Sequence, residues 1–533
     1  MIIYIIFSIL IVVSLYRTIV SSIAKKTMEL NLSVYREQDK IKKLDEYKSY
    51  PYLVLLIPGL REQSIVLETI KHFEQFQYPE DRLFIIFVTT TKEERHKNDN
   101  RKNLRSFYEE ASINPSSELI RKANNSLFPI YCLPKVQEIL KGENQYEELV
   151  NYYDSLPTTA QLIIKEVQKS KRKSIFYHAD YPLMQGGKPS QLNYAIDNFE
   201  KIIPKQLNEC ETYIGIYDFD SRPDISTGIY LGKEVLQRRE NNKELPAMFQ
   251  QIQFPFKDLY KITGTGIKGM LLRGNAILYL RHALGIELYR NLRYNIVNKL
   301  STNNLLKAFL RPVIYGIGTG MFINLEMLKK INKFPEPQED LSIGYRLSML
   351  GKEIKALYTC NFVEPYDSYK QMVNAFSMTF LSSFLILEES QNIKKFGIKG
   401  GLSNLEIKSL VAKEWLECII WLLKIPFFML FYLLVFFLVP YSHFFMMIII
   451  HVFIRFYIDM FLFNKYTHFL FKNYNKGNEE TLQFEQSLFE KLILIITSPI
   501  QGVMQSLPPI YSLKRWFITK VLKTNVERTK TER

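Results

Sequence analysis

Residues 213–224 read Tyr213-Ile214-Gly215-Ile216-Tyr217-Asp218-Phe219-Asp220-Ser221-Arg222-Pro223-Asp224. The first five carry no charge and form the short continuous apolar run expected of a strand buried on both faces. Asp218, Asp220 and Asp224 follow at once. Carboxylates placed where a buried strand surfaces suit a hard divalent cation. Mg²⁺ or Mn²⁺ takes oxygen ligands and commonly bridges one or two carboxylates to a substrate diphosphate. Asp-x-Asp alone is common in turns, and the strand ahead of it is what gives the pair weight.

Working outward, Tyr52-Leu53-Val54-Leu55-Leu56-Ile57 is a second buried run, closed by Pro58-Gly59. Helical periodicity from Ser64 to Phe76 ends at Tyr78-Pro79, and Leu83 to Val88 is a third run. Strand, helix, strand at this spacing predicts a βαβ unit, with ligands expected at the carboxyl ends of its strands. Gly59-Leu60-Arg61-Glu62 falls at such an end. From Glu93 to Lys173 the chain is polar and poor in strand signals, which predicts an inserted helical or partly mobile segment. Farther on, Gln338-Glu339-Asp340-Leu341 opens a predicted helix running to Leu350. An acidic pair in a first turn complements the helix dipole. Beside a bound sugar the same carboxylates suit a general base.

The chain has 533 residues, a formal net charge of +15 and 47% aliphatic and aromatic residues, enough for a buried core plus membrane segments. The basic balance suits anionic head groups or nucleotide phosphates, and a lysine-rich background explains it equally well. Its basic residues are dispersed, which argues against nucleic acid. The four cysteines, Cys132, Cys210, Cys360 and Cys418, show no metal or redox spacing.

Residues 1–24 are apolar apart from Arg17, and Lys25-Lys26 follow. Charge after the apolar run rather than before it predicts an anchor, not a cleaved leader, with the bulk of the chain cytoplasmic. No charge occurs from Ile425 to Ile454, and Pro440 lies in the middle. That stretch is too long for one straight span, so a hairpin over 416–463 is expected, from Leu416–Val439 and Phe444–Phe463. His451, Arg455 and Asp459 share one helical face there, read as a locking ion pair or as an Arg contact with lipid phosphate. Pro499, Pro508 and Pro509 are expected to break the apolar stretch 492–513 into an interfacial or re-entrant piece, with a basic cytoplasmic tail within 464–533. A single span near 425–447 with a true span at 492–513 satisfies the charge bias equally well. Residues 366–410, bearing Lys370, Lys394, Lys395 and Lys399, are expected as helices at the lipid interface.

Together these motifs resemble the membrane-integrated branch of the family 2 glycosyltransferases, whose catalytic domain has the α/β, Rossmann-like GT-A fold; here it would span 50–365. Five pieces match in order: Pro58-Gly59-Leu60-Arg61-Glu62, Gly187-Lys188-Pro189-Ser190-Gln191-Leu192-Asn193, Asp218-Phe219-Asp220, Gly318-Thr319-Gly320-Met321-Phe322 and Glu339-Asp340-Leu341. The resemblance implies Asp220 as metal ligand, with Asp218 at the metal or at the sugar–ribose end, and Mn²⁺ or Mg²⁺ as cofactor. It implies Asp340 as the base of an inverting transfer. Pro58, Glu62 and Lys188 would lie on the nucleotide-sugar side, and Gly318, Thr319, Gly320 and Glu339 on the acceptor side. Many relatives carry an Asp after the second strand that reads uracil; Glu93 of Thr91-Lys92-Glu93 is the expected substitute. Polymerising relatives carry Gln-x-x-Arg-Trp, and the corresponding helix has Gln371 without the Arg and Trp. The expected function is thus a non-processive transfer from a nucleotide sugar to a lipid-linked or polysaccharide acceptor at a cell membrane. A processive synthase with a diverged helix and a catalytically silent scaffold are the rivals.

Overall fold

The computed structural model describes residues 1–38, 50–113, 127–142, 145–299, 304–396, 401–458, 460–462, 466 and 486–520. Among them one mixed sheet organises the chain. Its strands are β1 (Tyr52–Pro58), β2 (Leu83–Thr90), β3 (Phe176–Tyr181), β4 (Thr212–Ile216), β5 (Arg222–Pro223), β6 (Met248–Phe254), β7 (Met321–Asn324) and β8 (Ile354–Phe362). The order is β3-β2-β1-β4-β7-β6-β8-β5. β1 runs parallel to β2 and to β4, and β2 parallel to β3, so four carboxyl ends share one edge. β7 runs antiparallel to β4 and β6.

The unbroken apolar runs have a direct cause. Leu53, Leu55 and Ile57 of β1 pack with Phe73 and Phe76 on one face of the sheet. Val54 and Leu56 pack with Leu192 and Ala195 on the other. With both faces covered, no position of β1 can be polar.

The polar stretch after β2 folds as helices, among them Lys92–Asn100, Leu104–Ile113, Gln145–Ser155 and Thr159–Lys169. Leu104, Phe107, Phe128, Val136 and Tyr153 give it a small core of its own; residues 114–126 and 143–144 lie outside the described residues. A second helical excursion separates β6 from β7: Leu259–Thr263, Gly266–His282, a π-helical turn Ala283–Leu288, Tyr289–Lys299 and Asn304–Leu310. The sequence reading did not anticipate it.

Among the described residues, four helical stretches are long and apolar enough to cross a membrane: Ile2–Asn31, Asn404–Leu438, Tyr441–Leu462 and Leu488–Phe517. The first helix runs Ile2–Gln38, well past Lys25-Lys26, where Lys25 pairs with Glu29 one turn on at 3.6 Å. The second and third are separated at Val439-Pro440, and the helix before that break begins earlier than the expected Leu416. Ser403 and Glu406 make a reciprocal capping box there, so the helix starts at Asn404 and takes in the end of the 366–410 segment. Of the breaks expected in 492–513, one falls before Pro508, where a new helix Pro508–Lys520 starts, whereas Pro499 lies inside the helix Leu488–Met504. Proline at 499 removes the amide that would bond the Ile495 carbonyl; the Ser498 hydroxyl donates to that carbonyl instead, at 2.8 Å. Asp459, Lys399 and the tail from 521 lie outside the described residues.

Close crossings join these helices to the excursion and to one another. A Cβ on Gly274 would meet Gln501 Nε2 at 2.1 Å, one on Gly285 would meet Ser21 Oγ at 2.1 Å, and one on Gly502 would meet Phe456 at 2.1 Å. Small residues at such points let helix backbones approach closely.

Candidate active site

The carboxyl edge of the parallel strands opens into a cleft of about 590 Å³. Its wall includes Pro58, Glu62, Lys188, Asp218, Asp220, Gly318, Thr319, Glu339 and Asp340. Nine of the eleven residues singled out from the sequence therefore share one cavity. Gly320 and Glu93 are not on its wall.

Asp218 and Asp220 leave the end of β4 on a loop that is pinned from below. Arg222 is fully buried; its guanidinium donates to the carbonyls of Phe219 (3.0 Å) and Ser221 (2.8 Å) and pairs with Glu68 at 2.9 Å. Burial alone would raise the Glu68 carboxyl, and Arg222 and Lys257 together bring it below its ordinary range. The Thr69 hydroxyl donates to the Phe219 carbonyl at 2.7 Å. The Phe219 ring fills the space over Gly59, where a Cβ would come within 2.2 Å of it. Side chain 59 is thus excluded by the ring that sits between the two aspartates.

Lys188 is at the start of the helix Lys188–Asp197. Its ammonium donates to Asp218 Oδ1 and to the Gly318 carbonyl, both at 2.8 Å, and pairs with Glu339 Oε1 at 3.3 Å. Burial would lower the lysine, and the surrounding carboxylates raise it well above its ordinary value instead. It stays a cation. Asn193, one turn on, exchanges two hydrogen bonds with the Phe334 backbone (2.8 and 3.0 Å), which ties this helix to the loop leading into Glu339.

Glu339 and Asp340 open the helix Glu339–Met349, as the sequence predicts. The Leu341 amide donates to Asp340 Oδ1 at 2.8 Å, and the Gly316 amide to the Asp340 carbonyl at 3.1 Å. Gly318 faces the carboxylate: a Cβ there would lie 3.1 Å from Asp340 Oδ2 and 3.5 Å from Lys188 Nζ. Desolvation by the cleft walls and the neighbouring Glu339 charge push Asp340 up to about 7, against the pull of Lys188. Desolvation and then the Asp220 charge hold Asp218 above the usual carboxylate range, again against Lys188. The Thr319 hydroxyl takes hydrogen bonds from the Asp218 amide (3.4 Å) and from Asn361 (3.1 Å), and shares one with Ser221 (2.7 Å). Gly320, at φ +71°, turns the chain into β7, and its amide donates to the Ile216 carbonyl at 2.8 Å.

Glu93 is buried, and its carboxylate is saturated by protein. It accepts from the Arg61 amide (3.0 Å), Gln63 Nε2 (2.6 Å) and the Thr159 amide (2.9 Å). It staples the loop after β1 to the helical insertion.

The far wing of the cleft is lined by residues the sequence reading had not assigned: Asn275, Tyr279, His282, Glu287, Tyr315 and Gln505, with Met372 and Phe376 above. Asn275 and Gln505 touch through their amides at 3.3 Å, although they lie far apart in sequence. The one signal within reach was Gln371, which also lines this wing.

Asp218 and Asp220 give the cleft two carboxylates, and among the described residues no group of three His, Cys, Asp or Glu side chains clusters as a metal cage. Such a donor set fits a cation that completes its shell with diphosphate oxygens and water, not one enclosed by protein alone. The mutual repulsion that raises Asp218 is what a divalent charge would relieve.

No family model matches the chain, and no curated protein matches it. Solved structures similar to it in outline include a mannosyltransferase and a protein in complex with a nucleotide sugar. The mannosyltransferase PcManGT from Pyrobaculum calidifontis, in complex with GDP-Man and Mn²⁺, is 10% identical over 97% of this chain and 100% of its own, with a TM-score of 0.37. TarS 1–349 from S. aureus, in complex with UDP-GlcNAc, is 10% identical over 68% of this chain and 71% of its own, with a TM-score of 0.31. Overlap this loose assigns neither family nor activity.

Proposed function

We propose that the chain is a membrane-anchored, inverting glycosyltransferase with a GT-A catalytic domain, which moves a sugar from a nucleotide sugar to a lipid-linked or polysaccharide acceptor. One observation carries the reading. Two acidic pairs far apart in sequence, Asp218/Asp220 and Glu339/Asp340, line one cleft at the carboxyl ends of parallel strands, with the Lys188 ammonium between them.

The chemistry follows from the two pairs' surroundings. Asp340, pushed up to about 7, accepts the proton of an acceptor hydroxyl near neutral pH. The freed oxygen attacks the anomeric carbon from the face opposite the diphosphate; the new glycosidic bond forms as the bond to the diphosphate breaks, with inversion. Asp218 and Asp220 would hold Mg²⁺ or Mn²⁺, which when bound offsets charge on the departing diphosphate. Lys188 keeps Asp218 and Glu339 at a fixed spacing and adds a positive charge at the diphosphate end. Glu93 and Arg61 set the shape of the donor loop without reaching the cleft. Four helical stretches long and apolar enough to cross a membrane support a site beside a membrane, and the lysines that follow the first apolar run support a catalytic body on the cytoplasmic side.

The purified full chain is expected to consume a nucleotide sugar only with Mn²⁺ or Mg²⁺, and Asp220→Asn to abolish both the turnover and the metal-dependent rise in melting temperature that the donor gives. A screen of nucleotide sugars with metal that yields neither would leave the scaffold reading in possession.

A further inference from the structure

The cleft is longer than a donor needs. Beyond Asp340 it runs under the helix Tyr369–Ser382, between that helix and Gly266–His282, and reaches Gln505 of the fourth apolar stretch. This wing begins at the proposed base: Tyr315 is joined to Gly316, whose amide bonds the Asp340 carbonyl.

Its central device is built by the π-helical turn. In an α-helix, residues five apart point about 140° away from each other. The π-helical turn over Ala283–Leu288 closes that gap, so His282 Nε2 and Glu287 Oε1 meet at 3.2 Å. The Tyr315 hydroxyl reaches the same imidazole nitrogen at 3.3 Å. Glu287 Oε2 has no hydrogen-bond partner among the described residues, an unanswered acceptor behind the cleft wall. Around this group stand aromatic rings and amides, beside the apolar Leu272, Ala276 and Met372. The Tyr279 ring lies 5.6 Å from the His282 ring, and Gln371 and Gln505 supply amides.

A hydrocarbon chain would require a continuous apolar wall. A phosphate would require cations, and the wing's own charged group is the anion Glu287. Aromatic rings and hydrogen-bonding groups in one wall fit a pyranose, which presents C–H faces to aromatics and hydroxyls around its rim. Resting on the transferase reading, we infer that this wing is the acceptor subsite. It takes a saccharide ring against Tyr279, with the ring's hydroxyls reaching His282, Gln371 and Gln505. Glu287 and Tyr315 act as positioning residues that fix the imidazole, and Glu287 Oε2 accepts a hydroxyl once its carboxylate turns. Entry from the Gln505 end suits an acceptor sugar carried to the site from the membrane side.

The test uses the full chain in a sugar-free detergent and reads binding by calorimetry. The probes are octyl glycosides of the common hexoses, the matching methyl glycosides, and octyl phosphate as a tail with a sugar-free anionic head. At least one octyl glycoside should bind saturably and be displaced by its methyl counterpart. Glu287→Gln, which keeps size and shape, should weaken it about tenfold, and Tyr279→Ala about fivefold. The melting-temperature rise given by the nucleotide sugar should persist in both variants, showing that each is folded. An octyl glycoside tighter than its methyl counterpart supports a lipid-linked sugar, and equal affinity supports a free saccharide end. Octyl phosphate binding as tightly as any glycoside overturns the inference, and so do unchanged glycoside affinities in both variants or no glycoside binding at all. Glycoside binding without any nucleotide-sugar response would leave the subsite standing and remove the transferase reading.

Discussion

The two ends of the cleft are built on different plans. At the end formed by β1, β2 and β4, polar side chains are consumed by one another: Glu93 by the 61–63 loop and Thr159, Arg222 by Glu68 and two carbonyls, Asn193 by the Phe334 backbone. Little there can move when a ligand arrives. At the other end, Tyr279, His282, Gln371 and Gln505 come from three segments widely separated in sequence and face open space. A fixed end can hold one repeated ligand in one pose, whereas an assembled end can be re-specified by changing a helix. The difference suggests a division of labour in which the first end handles the group common to every turnover and the second selects its partner.

The contrast can be broken at its boundary first. Asp340→Asn is expected to lower the transfer rate by about 10²–10⁴-fold, the worth of a general base, with donor binding preserved; full activity would remove Asp340 from that role. Next in size is the buried pair that holds the Asp340 helix against the helix Leu385–Asn392. Arg346 meets Glu389 at 2.6 and 3.0 Å with both side chains nearly excluded from solvent. Glu389→Ala leaves the guanidinium without its partner and should cost about 3–5 kcal/mol of stability, read by denaturant unfolding.

The pH profile comes third. With Asp340 titrating near 7, transfer should climb about tenfold per unit up to that value and level off above it, because the working form is the ionised one. The stability effect runs the other way. A carboxyl raised by folding holds its proton more tightly folded than unfolded, so stability falls as pH climbs from the ordinary carboxylate range to about 7. Asp340→Asn should therefore melt higher than the parent at pH 8, and the gain should shrink toward pH 4.

Glu93→Gln tests the fixed end. Replacing an acceptor oxygen by an NH₂ opposes it to the amides of Arg61 and Thr159, at about 1–3 kcal/mol. Donor KM should rise for all nucleotide sugars alike; a change in preference between bases would make Glu93 a reader of the base instead of a staple. The smallest effect belongs to the assembled end, where Gln371→Ala should raise acceptor KM about two- to fivefold and leave donor KM alone.

These plans also explain what the sequence disclosed. β1, β2 and β4 were legible because each is a contiguous run buried on both faces, Asp218 and Asp220 because they follow the end of one such run, and Asp340 because it sits in the first turn of a helix. The wing was not. Leu272, Ala276, Ile277, Leu278 and Leu280 leave no clean polar face on the helix Gly266–His282, which is covered both by the sheet and by other apolar helices, so its pattern matched neither an amphipathic helix nor a span. Glu93 sits where a ligand contact is expected by position, and its fate depends on Thr159, a partner that no local pattern reveals. Pro499 misled for a similar reason, since the hydroxyl that answers its orphaned carbonyl is a tertiary detail of one serine.

The glycine crossings at positions 274, 285 and 502 bear on how the chain is put together. The helix Ile2–Gln38 finds its seat on Gly285 through Ser21, and Gly274 finds its own on Gln501, hundreds of residues later. The amino-terminal helix is therefore not an interchangeable tether. Grafting an unrelated apolar helix in its place would keep the length and apolarity of the stretch, yet it would leave Gly285 and the central excursion without the small side chain of Ser21 that fits them.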